Sequence, residues 1–162
     1  MLSVIVVILS FAGIAASRYY FRIRKGTEQP VHFSHRIHTS EKGISCFMCH
    51  DGAINTERAG IPPLQTCMLC HEKIIIHHPE IENLRTHYYE NKPVEWLKVQ
   101  NVPDFVFFNH SVHIYRQIDC SHCHGNVKEM DRIAEVNNFN MKFCVDCHKQ
   151  EKATTDCFTC HR

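Results

Sequence analysis

All ten cysteines of this 162-residue chain fall within five Cys-x-x-Cys-His pentapeptides. We number these pentapeptides along the chain as motifs 1 to 5. Each consists of two cysteines and the histidine that follows them: Cys46, Cys49 and His50 in motif 1; Cys67, Cys70 and His71 in motif 2; Cys120, Cys123 and His124 in motif 3; Cys144, Cys147 and His148 in motif 4; and Cys157, Cys160 and His161 in motif 5. The pattern is the attachment signature of c-type haem, in which two thiols bond to the porphyrin and the histidine becomes the proximal iron ligand. We therefore expect five covalently bound haem c groups.

Zinc ribbons and redox disulfides also use Cys-x-x-Cys pairs. Neither requires a histidine directly after the second cysteine, yet all five pairs here have one. The histidines favour haem over a zinc site or a disulfide scaffold.

The length of the chain limits what kind of core it can build. If about 25 residues form an N-terminal apolar segment, roughly 27 residues remain for each haem, too few for a large side-chain core. We expect a mostly irregular fold with short α-helices wrapped around the haems. The net charge is +1 and no basic stripe is visible, so the sequence gives no indication of nucleic-acid binding.

Met1–Ser17 is apolar and free of charge, and Tyr19, Tyr20 and Phe21 extend the apolar stretch to nearly the length of a membrane-spanning helix. The sequence predicts an N-terminal transmembrane anchor over residues 1–25, with the two tyrosines at the membrane interface. A cleaved signal peptide ending near Ala15-Ala16-Ser17 is the alternative.

Haem attachment to such motifs takes place outside the cytoplasm. Residues 26–162 are therefore expected to form a periplasmic haem domain. With an uncleaved anchor, the protein would sit in the bacterial cytoplasmic membrane as a single-pass protein.

The segments Phe33–His38 and Phe108–His113 share the pattern F-[SN]-H-x-[IV]-H, and each leads through I-x into a haem motif. A second motif follows in both cases. We interpret this as a duplication. The predicted organisation is a di-haem unit over about 31–78, a connector over 79–102, a second di-haem unit over about 103–150 and a fifth haem over 151–162.

The repeated pattern also supplies candidate distal iron ligands. Two histidines three residues apart on one helical turn lie close together but point in different directions, so each can serve a different haem. We expect His35, His38, His110 and His113 to be distal ligands. The fifth distal ligand stays open among His77, His78, His87, Met130 and Met141, since both histidine and methionine serve this role in c-type cytochromes.

These ligands are sufficient to close all five irons, which favours electron transfer over catalysis at an open iron. A catalytic multihaem reductase would require one iron without a protein sixth ligand. A periplasmic electron shuttle working on its own is a further alternative.

The F-x-H-x-x-H and C-x-x-C-H units resemble class III multihaem cytochromes. Over roughly residues 30 to 162 the chain looks like the pentahaem cytochrome subunit of bacterial alternative complex III. The quoted likeness lies in AGIPPLQTCMLCH at 59–71, PVEWLKVQNVPDFVFFNHSVH at 93–113, CHGNVKEM at 123–130 and MKFCVDCH at 141–148. A related multihaem subunit occurs in quinone reductase complexes.

This resemblance implies a non-catalytic, membrane-anchored electron-transfer subunit with a class III-like fold. Its implied partners are molybdopterin-oxidoreductase-like and quinone-binding membrane subunits of a respiratory complex, together with a soluble cytochrome c or another redox protein. In the first family electrons come from quinol oxidation. In the second they pass from periplasmic cytochromes into menaquinone.

Overall fold

The structure, a computed structural model, describes residues 2–161, and in the first helix it describes the side chains of residues 6–17. Short helices joined by irregular segments make up the described chain, and no β-sheet forms within it. The expected combination of short helices and irregular segments is seen after α1, although helices cover more of the described chain than a mostly irregular fold would. The α-helices are α1 (Leu2–Lys25), α2 (Cys46–Cys49), α3 (Gly52–Asn55), α4 (Leu64–His71), α5 (Pro79–Tyr89), α6 (His110–Tyr115), α7 (Cys120–His124), α8 (Met141–Gln150) and α9 (Cys157–Cys160).

Two turns of other helical types complete these elements. A π-helical turn covers Ile37–Glu41, and a 3₁₀ turn covers Val127–Glu129. A single antiparallel bridge joins Val106 to His161.

The N-terminal helix α1 is 24 residues long and ends at Gly26. This glycine has φ +80°, the left-handed conformation that commonly terminates helices. A side chain there would also meet the Arg132 carbonyl oxygen at 2.5 Å, so the chain passes residues 132–133 closely at this point.

Among the described residues, no helix combines the length and the apolar character needed to cross a membrane. The expected single-pass anchor over residues 1–25 is therefore not supported by the structure. The side chains of Tyr19 and Tyr20, expected at a membrane interface, lie outside the described residues.

The side-chain core is small, as the length of the chain predicts. The apolar side chains that are buried among the described residues are Val31, Ala53, Met68, Leu84 and Val94. Val31, Leu84 and Val94 form one cluster, and the partly buried Leu64, Cys67 and Trp96 pack against it. The cluster therefore joins the segment around Val31 to helix α4, to helix α5 and to the extended segment around Val94 that follows α5.

Helix α5 occupies the first part of the expected connector, has Pro79 at its first turn and buries Leu84. Its Arg85 guanidinium donates hydrogen bonds to the carbonyl oxygens of His71 and Glu72, both at 3.1 Å. Helix α5 is thereby tied to the C-terminal end of α4, which carries motif 2.

The segments predicted as two di-haem units contact each other in the described part of the chain, and two of these places bear on the candidate site. Helix α3 packs on α6, and the Thr56 and Glu57 carbonyl oxygens accept hydrogen bonds from the backbone amides of Ser111 and His110. At the second place, Asp131 accepts hydrogen bonds from the Ser34 hydroxyl at 2.7 Å and from the Arg36 guanidinium.

Truncation of Leu84 tests how much the small side-chain core contributes to the free energy of unfolding. Leu84→Ala removes a side chain that is only 5% exposed. We expect it to lower the free energy of unfolding of the haem-loaded protein by about 2–3 kcal/mol, because the cavity cannot be refilled from so few neighbours.

Denaturant unfolding followed by circular dichroism measures this effect. Leu97→Ala is the matched control, because Leu97 is 50% exposed and its truncation is expected to change stability by less than about 0.5 kcal/mol. Equal losses in the two variants would contradict the prediction.

Candidate haem-binding site

The five motifs lie on short helices or on longer ones, and equivalent motifs of the two predicted repeats lie on the same kind of helix. Motifs 1, 3 and 5 begin one-turn helices, each preceded by a residue whose side chain accepts a hydrogen bond from a backbone amide of the first turn. These N-cap residues are Ser45, Asp119 and Asp156. Motifs 2 and 4 instead occupy the later part of the longer helices α4 and α8. One helical turn brings both cysteines and the histidine of a motif to one side of the backbone.

The sequence assigns the same role to all ten cysteines, but the structure does not place them alike. In motif 2 the Cys70 thiol is exposed, whereas Cys67 is half-buried. In motif 4 the order is reversed, because Cys144 is exposed and Cys147 is half-buried. The Cys147 Sγ lies 3.8 Å from the Nε2 of His122, which is a weak contact that a thioether bond to haem would replace.

Neither Cys70 nor Cys147 is joined to another group in the structure, so their attachment to haem stays a prediction. The same holds for the other eight thiols. Four of the ten are exposed and six are half-buried; the exposed ones are Cys70, Cys120, Cys144 and Cys157, and the half-buried ones are Cys46, Cys49, Cys67, Cys123, Cys147 and Cys160.

Four of the five proximal histidines face the histidines of the duplicated turns. The His38 and His71 ring centroids are 6.1 Å apart, those of His110 and His124 are 6.4 Å apart, and those of His113 and His148 are 6.1 Å apart. His35 lies close enough to His50 for their charges to interact. The histidine of each of motifs 1 to 4 thus lies near one histidine of the duplicated turn in its own predicted unit, which is the arrangement expected of a distal ligand.

The separations of the three measured ring pairs fit an iron ion held between two imidazoles. An imidazole nitrogen binds a metal at about 2.0 Å, which places the centroids of two opposed rings about 6.3 Å apart. The observed distances of 6.1–6.4 Å agree with this value. Direct stacking of two rings would bring the centroids closer. The residues present therefore fit haem groups with two histidine ligands.

Hydrogen bonds to the backbone define the tautomer of five of these histidines. A carbonyl oxygen can only accept, so each Nδ1 must carry the proton and each Nε2 is left with a free lone pair. The Nδ1–oxygen distances are 2.8 Å for His38 to Ser34, 2.7 Å for His50 to Gly60, 2.7 Å for His110 to Glu57, 2.8 Å for His113 to Asn109 and 2.6 Å for His148 to Thr154. This tautomer is the one that binds iron through Nε2.

Burial keeps several of the candidate ligands neutral. Burial, followed by the nearby His50 and His38, lowers the pKa of His35 to about 4. Burial, followed by the neighbouring His110 and His50, also lowers the pKa of His124. Only neutral imidazole can donate a lone pair to a metal, so both rings are in the ligating form at physiological pH.

A phenylalanine sets the angle between the two histidines of each duplicated turn. Phe33 stacks on His38 at 4.3 Å and 25°, and meets His35 edge-on at 4.9 Å and 85°. Phe108 repeats this arrangement with His113 at 4.5 Å and 28° and with His110 at 4.8 Å and 88°. The duplication seen in the sequence is therefore also a duplication of ring geometry.

Motif 5 is surrounded differently. The His161 ring stacks on Phe105, with centroids 5.9 Å apart, and the backbone of motif 5 pairs with Val106 and Phe107.

The five candidates for the fifth distal ligand differ in their surroundings. His77 is exposed, and His87 is half-buried. The His78 ring caps α5, where its Nδ1 accepts a hydrogen bond from the Glu80 amide at 3.3 Å. A neutral His78 then carries its proton on Nε2, which disfavours iron binding there. Met141 is exposed and Met130 is half-buried.

The thiols and histidines are arranged in pairs rather than in larger groups. In the described part of the chain, no group of three or more histidine, cysteine, aspartate or glutamate side chains is arranged to hold a metal ion. The arrangement that does recur is a pair of opposed imidazoles beside a pair of thiols.

The sequence did not identify the carbonyl groups that orient the histidines. For His38 and His113 a signal was present, because both bond to the carbonyl four residues earlier, at Ser34 and Asn109. The acceptor of His110 is Glu57, which belongs to the other di-haem unit. That contact depends on the packing of α3 on α6.

Comparison with known proteins agrees with this geometry. Residues 106–162, which include motifs 3 to 5, match the family described as cytochrome c7 and related cytochrome c. The motifs and this match support a multihaem c-type cytochrome. The chain is also similar to the menaquinone reductase, multiheme cytochrome c subunit, of Nitratidesulfovibrio vulgaris (strain Hildenborough). The identity is 29% over 163 aligned positions, which cover 83% of this cytochrome and 77% of the relative.

The ring angles predict distinguishable electron paramagnetic resonance signals from the oxidised cytochrome. His110 and His124 are nearly parallel, at 5°, whereas His38 and His71 are inclined at 66°. Parallel imidazoles give a rhombic low-spin signal, and steeply inclined ones give a highly anisotropic signal. We expect His110→Met to remove the rhombic signal assigned to motif 3 and to leave the highly anisotropic signal in place.

The exposed His32, which is not among the candidate ligands, provides the control variant. His32→Met should leave every low-spin signal unchanged. A spectrum in which His110→Met removes the anisotropic signal, or alters none, would show that these ring pairs are not the ligand pairs.

Proposed function

We propose that this cytochrome carries five haem c groups and conducts electrons as a non-catalytic subunit of a quinone-linked respiratory complex. The observation that carries the proposal is the pairing of four proximal histidines with the four histidines of the duplicated turns. Two histidine ligands leave no open position on an iron, so such a site can exchange electrons but cannot bind a substrate.

The bound haems supply the one-electron redox chemistry. The polypeptide holds and tunes them. The ten cysteines attach the porphyrins, His50, His71, His124, His148 and His161 serve as proximal ligands, and His35, His38, His110 and His113 serve as distal ligands. Phe33 and Phe108 hold the distal rings at a set angle. Backbone carbonyls keep Nδ1 protonated in His38, His50, His110, His113 and His148.

The similarity to a subunit of a menaquinone reductase supports the quinone-linked assignment. We propose quinone-binding membrane subunits and a molybdopterin-oxidoreductase-like subunit as stable partners, with a soluble cytochrome c or another redox protein as a transient one. Association with these subunits would hold the cytochrome at the outer face of the cytoplasmic membrane.

The number of haems is tested by the pyridine haemochrome absorbance per chain and by the intact mass of the purified protein. We expect five haems in the wild type and four in Cys157→Ser/Cys160→Ser, because motif 5 lies at the end of the chain and no duplicated turn depends on it. Cys157→Ser alone is a control that leaves one thioether bond possible. A count below five in the wild type would contradict the proposal.

Carbon monoxide tests whether the irons are closed. The gas binds only reduced haem with a free or easily displaced sixth ligand, so we expect no shift of the Soret band for motifs 1 to 4. In the matched variant His113→Ala, the motif 4 iron loses its distal ligand and one haem equivalent should bind the gas. Carbon monoxide binding by several haems of the wild type would favour a catalytic reductase instead.

The complex is tested by purification from native membranes in mild detergent. We expect the cytochrome to accompany quinone-binding membrane subunits, and its haems to change redox state when a menaquinol or menaquinone analogue is added. The direction of that change distinguishes quinol oxidation from quinone reduction. Recovery of the cytochrome alone, with no response to quinones, would support a separate periplasmic shuttle.

A further inference from the structure

We infer that the five haem motifs are not arranged in space in their sequence order, but in the order 2–1–3–4–5, so that motifs 2 and 5 form the two ends. This inference rests on the proposed function, because it assumes that each motif carries a haem. It adds which attachment sites are neighbours and which two are available to redox partners.

The first neighbours are motifs 2 and 1. The single turn that carries His35 and His38 faces His50 with the first histidine and His71 with the second. Phe33 contacts both of these distal rings. The Cys67 thiol of motif 2 also lies beside Cys49 of motif 1, and this neighbour adds to the burial that raises the Cys67 pKa.

The second pair of neighbours is motifs 1 and 3, although motif 2 lies between them in the sequence. Helix α3, which follows motif 1 directly, packs on α6, the helix that begins at the motif 3 ligand His110. Both the backbone amide and the Nδ1 of His110 donate to the Glu57 carbonyl, at 3.1 and 2.7 Å.

The motifs themselves meet at this junction. The Cys120 thiol lies within hydrogen-bonding reach of Cys46, and the His124 ring interacts with His50. The two di-haem units are therefore joined head to head, through the first motif of each.

Motifs 3 and 4 repeat the arrangement of motifs 1 and 2. His110 faces His124 and His113 faces His148 from one helical turn. The chain after motif 4 then folds back, because the His148 Nδ1 bonds to the Thr154 carbonyl at 2.6 Å and the Ala153 amide bonds to the His148 carbonyl at 2.8 Å. This turn brings Cys160 of motif 5 beside Cys144 of motif 4.

The outer side of motif 2 is occupied by the connector rather than by another motif. Helix α5 packs on α4, and Arg85 bonds to the carbonyl oxygen of His71 itself. His77, His78 and His87 lie in or next to α5, which places them at the motif 2 end of the series. They are consequently remote from His161, at the other end.

The functional consequence is that electrons enter and leave this cytochrome at opposite ends of the series. Motifs 1, 3 and 4 lie between them and relay the electrons internally.

A structure of the haem-loaded protein, by crystallography or by electron cryo-microscopy within its complex, tests the order directly. We expect the four shortest iron–iron distances to join motifs 2 and 1, 1 and 3, 3 and 4, and 4 and 5. A short distance between motifs 2 and 3, with motif 1 at an end, would overturn the inference. Five haems in another order would leave the proposed function standing, whereas fewer than five would contradict both.

A pair of matched variants tests the order in solution, with electron redistribution after flash photoreduction as the readout. Cys67→Ser/Cys70→Ser removes an end haem, so the remaining four should equilibrate in one fast phase. Cys46→Ser/Cys49→Ser removes an internal haem and isolates motif 2, so one quarter of the remaining absorbance should equilibrate at least about tenfold more slowly.

The sequence order 1–2–3–4–5 predicts the reverse outcome, with the slow phase in Cys67→Ser/Cys70→Ser. That result would overturn the inference. Where either variant fails to assemble its haems, the iron–iron distances in the wild type decide.

Discussion

The arrangement of this cytochrome depends on placing two histidines on one helical turn, each opposed to the proximal histidine of a different motif. The spacing of three residues makes the rings neighbours but turns them to different sides. One short segment therefore fixes two binding sites and also their separation. Phe33 and Phe108 make this pairing rigid, because each contacts both rings of its turn. A chain with so small a side-chain core can hold several haems because each turn positions two at once.

The duplicated units are joined by their equivalent ends. The Glu57 carbonyl lies just after motif 1 and orients His110, a ligand of motif 3. A ligand of the second unit therefore requires the first unit to be folded correctly. Asp131, in the second predicted unit, makes a contact in the other direction. Its carboxylate accepts hydrogen bonds from Ser34 and Arg36, the two residues that flank His35 in the first. We therefore expect residues 31–78 and 103–150 to fold cooperatively rather than as two independent repeats.

The sequence was sufficient for features that depend on local spacing. The Cys-x-x-Cys-His motifs and the repeated histidine turns could be predicted, because each involves residues a few positions apart. The bond from His110 to Glu57 and the meeting of Cys46 with Cys120 could not be predicted. They join residues 53 and 74 positions apart, and only tertiary packing brings those residues together. The transmembrane anchor was predicted from composition alone and gains no support from the structure.

The hydrogen bonds that orient the ligand histidines all end on backbone carbonyl oxygens. A side-chain acceptor could be deleted or charged by a single substitution, but a backbone oxygen is present whichever amino acid occupies the position. The electron-donating strength of these imidazoles is thus protected from most point mutations. Redox potentials in this cytochrome can drift during evolution through burial and surface charge, while the ligands themselves keep nearly constant chemistry.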